Sequence, residues 1–275
     1  MWSSLALLHP VAQLGSAFSV HPSTAIGIVA LAALWLWRAR HAPSPAQAPT
    51  SGQRLAFFVG LATLFLSLNG PVHDLSDVYL FSAHMVQHLL LQLMVVPLLL
   101  LGTPGWMLRP LLGHRAVRGV AERVLRPAWC FAIFNVVMAA WHLPPLYNTA
   151  LAYHGVHIAQ HLTFMAAATL MWWPILSPLP ELPRLSYPAQ MLYCFLLTIP
   201  MSIVAVYITY ADRVLYPLYA QAPRILGISP LEDQRFGGLI MWVPGGIYFM
   251  AVMSVIFFRW SSRGGEDGVA AAQVA

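Results

Sequence analysis

The sequence predicts an all-α protein, a polytopic membrane bundle of seven transmembrane helices with its N-terminus outside and its C-terminus in the cytoplasm. Three observations lead there. The 275 residues are 59% hydrophobic and only 8% charged, with mean hydropathy +0.68; a soluble domain carries about a quarter charged residues. Apolar runs near the roughly 20 residues that a helix needs to cross hydrocarbon recur along the chain. The 14 basic residues are all arginines, and they are unevenly placed.

Taken in order, the expected spans are 18–37, 55–70, 78–101, 127–141, 153–175, 189–210 and 238–258. The second and fourth are short. Segment 41–51 is rich in Pro and Ala and reads as an irregular loop. The connector 109–126 is basic and reads as a helix lying on the membrane surface. Segment 211–237 is the longest loop. Near its end, Ser229-Pro230-Leu231-Glu232 has a capping-box Ser, Pro at the first helical position and Glu at the third, so the last helix should begin before the membrane does. An N-terminus outside puts Arg38, Arg40, Arg54, Arg109, Arg115, Arg118, Arg123, Arg126, Arg184, Arg259 and Arg263 in the cytoplasm. It leaves only Arg213, Arg224 and Arg235 outside, a positive-inside split. The domain plan is a short outer segment 1–17, a transmembrane domain 18–260 and a cytoplasmic tail 261–275. No basic residue precedes Arg38, so a cleaved signal is not expected.

Several functions are excluded by what is missing. The arginines form no stripe with interleaved aromatics, which argues against nucleic acid as a partner. Without lysine there is no Walker-type phosphate loop. Cys130 and Cys194 stand alone in apolar runs and read as small buried hydrophobes. There is no G-x-S-x-G elbow, and nothing in the chain reads as a catalyst.

The histidines carry what chemistry there is. His84 and His88 lie early in the third span, and His157 and His161 early in the fifth, both within H-x-x-Q-H segments. Both spans run inward, so each pair sits about 6–15 Å below the outer boundary at 1.5 Å rise per residue. Residues four apart share a helix face, which aims each pair at one spot. His142 ends the fourth span, His73 follows the second, His154 precedes the fifth and His21 stands near the first. Imidazoles inside hydrocarbon are functional by default. Interhelical hydrogen bonds and a proton path are the competing uses, but the acids Asp74, Asp77 and Asp212 sit at the outer edge. Metal ligation is favoured, with His84, His88, His157, His161, His142 and His73 as ligands and Met241 and Asp74 as further candidates. Imidazole suits copper or zinc, and haem iron is a further alternative. Neither H-x-x-x-H pair encloses the general-base Glu of a zinc protease.

Several strings together resemble one family. They are Phe81-Ser82-Ala83-His84-Met85-x-Gln87-His88, Pro97 to Leu101 with Gly102-x-Pro104, and Trp141-His142-x-Pro144-x-x-Tyr147. To these are added His157-x-x-x-His161, Trp172-Trp173-Pro174, Asp233-Gln234, Gly237-Gly238 and Met241-Trp242. The pattern, from about Leu55 to Phe258, resembles the CtaG-type cytochrome c oxidase assembly factors of bacterial plasma membranes. These are distinct from the single-span proteins sharing that name, whose cysteine copper ligands have no counterpart here. The resemblance implies a seven-helix inner-membrane protein that matures a haem–copper oxidase through its copper, with oxidase subunits and membrane lipid as partners. A haem-binding cytochrome and a metal or small-solute transporter are the alternatives.

Overall fold

The computed structural model describes residues 18–274, with side chains described through residue 262. The expected outer segment 1–17 therefore lies outside the described residues. The first helix, α1 (Pro22–Arg40), is followed by α2 (Ser51–Ser67) and then by α3 (Gly70–Tyr79), whose second half is wound as a π-helix. A long α4 (Phe81–Gly102) follows, then short α5 (Gly105–Leu108) and α6 (Arg115–Val124). After these come α7 (Pro127–His142), α8 (Pro144–Ala152), α9 (His154–Leu176), α10 (Tyr187–Thr209), a single turn α11 (Pro217–Ala220) and α12 (Pro230–Val274). No strand occurs among the described residues.

Local chemistry accounts for the ends. Thr50 and Gln53 form a reciprocal capping box at the start of α2. At α12, Glu232 N donates to Ser229 Oγ and Ser229 N to a Glu232 carboxylate oxygen, the box expected from the sequence. The break between α2 and α3 is set by Gly70, whose φ of +66° favours a residue without a side chain. Its N–H donates to Ser19 O, and His21 N donates to Asn69 Oδ1, so the entry to α1 is tied to the break. Helix α6, in the connector expected to lie on the membrane surface, has no buried residue and meets α7 at 77°.

By length and apolarity four helices can cross a membrane: α1, α4, α10 and α12 as far as Ser262. The bent pairs α2 with α3 and α6 with α7 raise the number to six if each is one span. The one expected span left over, the fifth (153–175), corresponds to α9, a 23-residue helix whose His157, Gln160 and His161 hold its hydropathy below that of the four. Large apolar side chains such as Ile26, Val136, Leu162, Ile203 and Ile247 face outward, as they do where hydrocarbon is the solvent. This is a membrane protein.

Helix α4 is the most buried of the four and packs on α2 and α12; α10 lies along α12, and α7 along α9. Midway, α4 widens into a π-helical stretch, Leu90–Val95. Such a bulge frees carbonyls that need donors. Trp172 Nε1 donates to Gln92 O at 2.8 Å, and the Tyr248 hydroxyl donates to Leu93 O. The bulge is thus held by α9 and α12, below the turns that carry His84 and His88.

Candidate metal centre

The first turns of α4 and α9 start at the same end of the bundle and present their histidines to each other. His84, His88, His157 and His161 are all buried, at most 8% exposed. Within each helix the pair is in contact: His84 Nε2 lies 2.8 Å from His88 Nε2, and His157 Nε2 lies 2.7 Å from His161 Nε2. Between helices, ring centroids are 5.6 Å apart for His84 and His157 and 5.7 Å for His88 and His161. The two pairs form one cluster.

Two more expected residues join it. His142, at the end of α7, places its ring 6.0 Å from His88, and its Nδ1 lies 2.7 Å from Met138 O. His73, on α3, has Nε2 3.3 Å from Asp77 Oδ2 and receives a hydrogen bond at Nδ1 from Gln87 Nε2. The other two are elsewhere. Asp74 accepts from Ser19 Oγ at 2.8 and 2.9 Å, and Met241 is packed in the hydrophobic core.

Asp77 takes the place considered for Asp74. Its Oδ2 is also 3.4 Å from His157 Nδ1. One ligand atom each from Asp77, His84 and His157 lie within 4.8 Å of one another. Sequence reasoning missed Asp77, yet a signal existed. His73 and Asp77 are spaced by four, like the two histidine pairs.

The surrounding groups orient the rings. Ser76 O faces His84 Nδ1 at 3.3 Å, and a carbonyl can only accept, so this nitrogen carries the proton and Nε2 keeps its lone pair. Tyr219, on α11, donates its hydroxyl to the same Ser76 O at 2.6 Å and lies 3.2 Å from His84 Nδ1. Tyr147 reaches Tyr219 at 3.3 Å, and Tyr216 donates to His142 O at 2.8 Å. Burial pushes the hydroxyls of Tyr147, Tyr216 and Tyr219 well above their usual range, so they remain donors. Loop 211–229 is thereby laid over the cluster.

The motif Asp233-Gln234 holds that arrangement from the far end of the sequence. Asp233 is fully buried and accepts from Phe81 N at 2.7 Å, Ser82 N at 3.2 Å and Ser82 Oγ at 2.5 Å. A carboxylate there satisfies the free N–H groups that begin α4. Gln234 accepts from Leu215 N and donates to Ile208 O and Arg213 O, pinning the loop. Two imidazoles and a carboxylate thus converge at the cluster, a donor set of the kind that can hold a metal ion.

The family described as cytochrome c oxidase caa3 assembly factor (Caa3_CtaG) matches residues 30–263. An uncharacterized protein of Mycobacterium bovis is 23% identical over 228 residues, covering 77% of this chain and 34% of its own length. One of Mycobacterium tuberculosis gives the same figures, and one of Mycobacterium leprae is 21% identical over 231 residues with the same coverage. The chain thus spans about a third of the length of these relatives. No solved structure matches.

Proposed function

Because this chain belongs to the cytochrome c oxidase caa3 assembly factor family, we propose that it hands copper to a haem–copper oxidase through its histidine cluster. The observation that carries this reading is the convergence of Asp77, His84 and His157 on one buried point. Copper is cargo here, and the role is non-catalytic. The reading takes α9 as a seventh span, puts the cluster in the outer leaflet of the bacterial plasma membrane, and follows the arginine split for orientation. It keeps 18–260 as the membrane domain, flanked by segments 1–17 and 261–275.

The physical advantage lies in the solvent. A soluble carrier would have to push an unpaired ion through lipid, where a charge costs several kcal/mol or more. An ion held on imidazoles inside the bundle moves sideways from ligand to ligand. Oxidase subunits are the partners, and loop 211–237 is the docking surface nearest the cluster.

The test is the double variant His84→Ala with His157→Ala, in cells that depend on this chain. It should insert at normal levels. Oxidase purified from those cells should contain haem but lack copper and activity. Normal copper content and activity would overturn the reading.

A further inference from the structure

At the end of the bundle away from the histidines, α4, α9, α10 and α12 leave a cavity of about 980 Å³ between them, bordered by segment 177–186. From His157 to Leu176 helix α9 rises about 28 Å, close to the roughly 30 Å depth of hydrocarbon, so the cavity lies near the opposite interface. Trp172 and Tyr248 stand at its inner end, with ring centroids 6.0 Å apart. Their polar atoms turn towards α4, where they donate to Gln92 O and Leu93 O, which leaves ring surface to the cavity. Val252 and Ile256 continue the wall along α12. At the side of the bundle Leu101 and Val255 are about half exposed, and the cavity is open there.

The charged residues of the lining are of one sign. Arg184 and Arg259 are both exposed, and no Asp or Glu lines the cavity. Glu181, the one acid of segment 177–186, is bound instead to Arg109, its Oε1 2.8 Å from Arg109 Nε. Arg184 gives one of its five N–H groups to Ser177 O at 3.0 Å, which ties the guanidinium to the loop. On α12, Arg259 lies about 16 Å beyond Tyr248 at 1.5 Å per residue. Both arginines therefore belong to the mouth of the cavity, at the level where α9 ends and α10 begins, and the apolar wall runs inward from them.

We propose that this cavity binds one anionic phospholipid, with its headgroup at Arg184 and Arg259 and its acyl chain along Trp172, Tyr248 and Val252. It stands independently of the copper-handling reading above. An apolar wall with cations at one end matches a lipid, whose hydrocarbon lies deep and whose phosphate lies at the interface. Guanidinium groups suit phosphate oxygens, which they can bind through two parallel N–H bonds. A zwitterionic headgroup would bring its own cation beside two arginines with no acid to pair it, and a free phosphate would leave the wall unfilled. The volume is at the upper end of the roughly 300–1,000 Å³ of small-molecule sites, room for a chain as well as a headgroup. A chain lying on Trp172 and Tyr248 also backs the two residues that hold the π-helical stretch of α4.

The test uses the full chain purified in detergent, with dioleoyl phosphatidylglycerol or dioleoyl phosphatidylcholine added and the retained lipid counted by native mass spectrometry. The native chain should keep one phosphatidylglycerol at concentrations where phosphatidylcholine is lost. An arginine beside an anionic headgroup is worth roughly fivefold in affinity, so Arg184→Gln with Arg259→Gln should weaken phosphatidylglycerol about 30-fold and leave phosphatidylcholine unchanged. Arg115→Gln with Arg118→Gln, on α6, should change neither, which separates this site from general attraction to a basic surface. Ala251→Trp adds bulk at an exposed position of the cavity wall. It should weaken phosphatidylglycerol about tenfold, the equivalent of roughly two buried methylenes, without moving the thermal midpoint of the lipid-free chain. Equal retention of the two lipids, equal loss in the α6 variant, or native retention in Ala251→Trp would each overturn the site. Displacement of the lipid by inorganic phosphate would do the same, since the cavity would then serve a soluble anion.

Discussion

Replacing Asp233 by Asn tests whether the start of α4 is held from α12. The carboxylate accepts three hydrogen bonds, from Phe81 N, Ser82 N and Ser82 Oγ. Asn keeps one oxygen and must turn an NH2 group towards one of these donors. At least one charge-assisted bond is lost, worth about 1.5–3 kcal/mol. The charge at a helix N-terminus is worth up to about 2 kcal/mol more in a buried setting. Relief of the buried charge offsets part, leaving a net loss of about 3 kcal/mol. At roughly 2–4 °C per kcal/mol, the unfolding midpoint in detergent should fall by about 6–12 °C. Ser82→Ala removes only the hydroxyl and should cost about 1 kcal/mol. Thermal unfolding of all three proteins, followed by tryptophan fluorescence, measures this. A midpoint for Asp233→Asn within about 1 °C of the native one would refute the reasoning, because the three donors would then not depend on the carboxylate.

Three further outcomes follow from the same geometry. A Cβ on Gly102 would sit 2.5 Å from the Phe57 backbone nitrogen, whereas one on Gly155 meets nothing within 4 Å; Gly102→Ala should cost about 1–3 kcal/mol and Gly155→Ala next to nothing in the same melt. Burial holds the hydroxyls of Tyr147, Tyr216 and Tyr219 well above the ordinary tyrosine range when folded. The unfolded chain loses those protons first, so stability should be flat up to about pH 10 and fall as pH rises further; Tyr147→Phe should soften that fall, and an unchanged alkaline limb would count against it. A reporter active only in the cytoplasm should work after Ala275 and fail near Gln221, and the reverse pattern would put the cluster on the other side of the membrane.

The histidine pairs were legible because four-residue spacing on a helix leaves little freedom: both rings of a pair must share a face. The helices themselves follow from apolar run length, and the start of α12 from Ser229 and Glu232. What was not legible depended on bends. Asp74 and Asp77 are three residues apart on α3, and only the break at Gly70 and the π-helical turn decide which meets His157. Tyr219 lies on a single turn inside a loop, where no periodicity marks it, so its contact with Ser76 and His84 is invisible before folding. Asp233 could be seen as part of a recurring string, but its partners are 151 and 152 positions away. Which carbonyl faces which ring, as Ser76 O faces His84 and Met138 O faces His142, is likewise not encoded by residue spacing.

That same Asp233 contact sets a schedule for the newborn chain. The ribosome adds about 5–20 residues per second, so α4 waits roughly 7–26 s after its own synthesis before Asp233 of α12 arrives to seat its first turn. Until then Phe81 and Ser82 are unanchored, loop 211–229 has no Gln234 to pin it, and His84 has no settled orientation. A half-made protein therefore lacks the assembled cluster. The arrangement is complete only with the final helix, and truncated products that stall before it never form it.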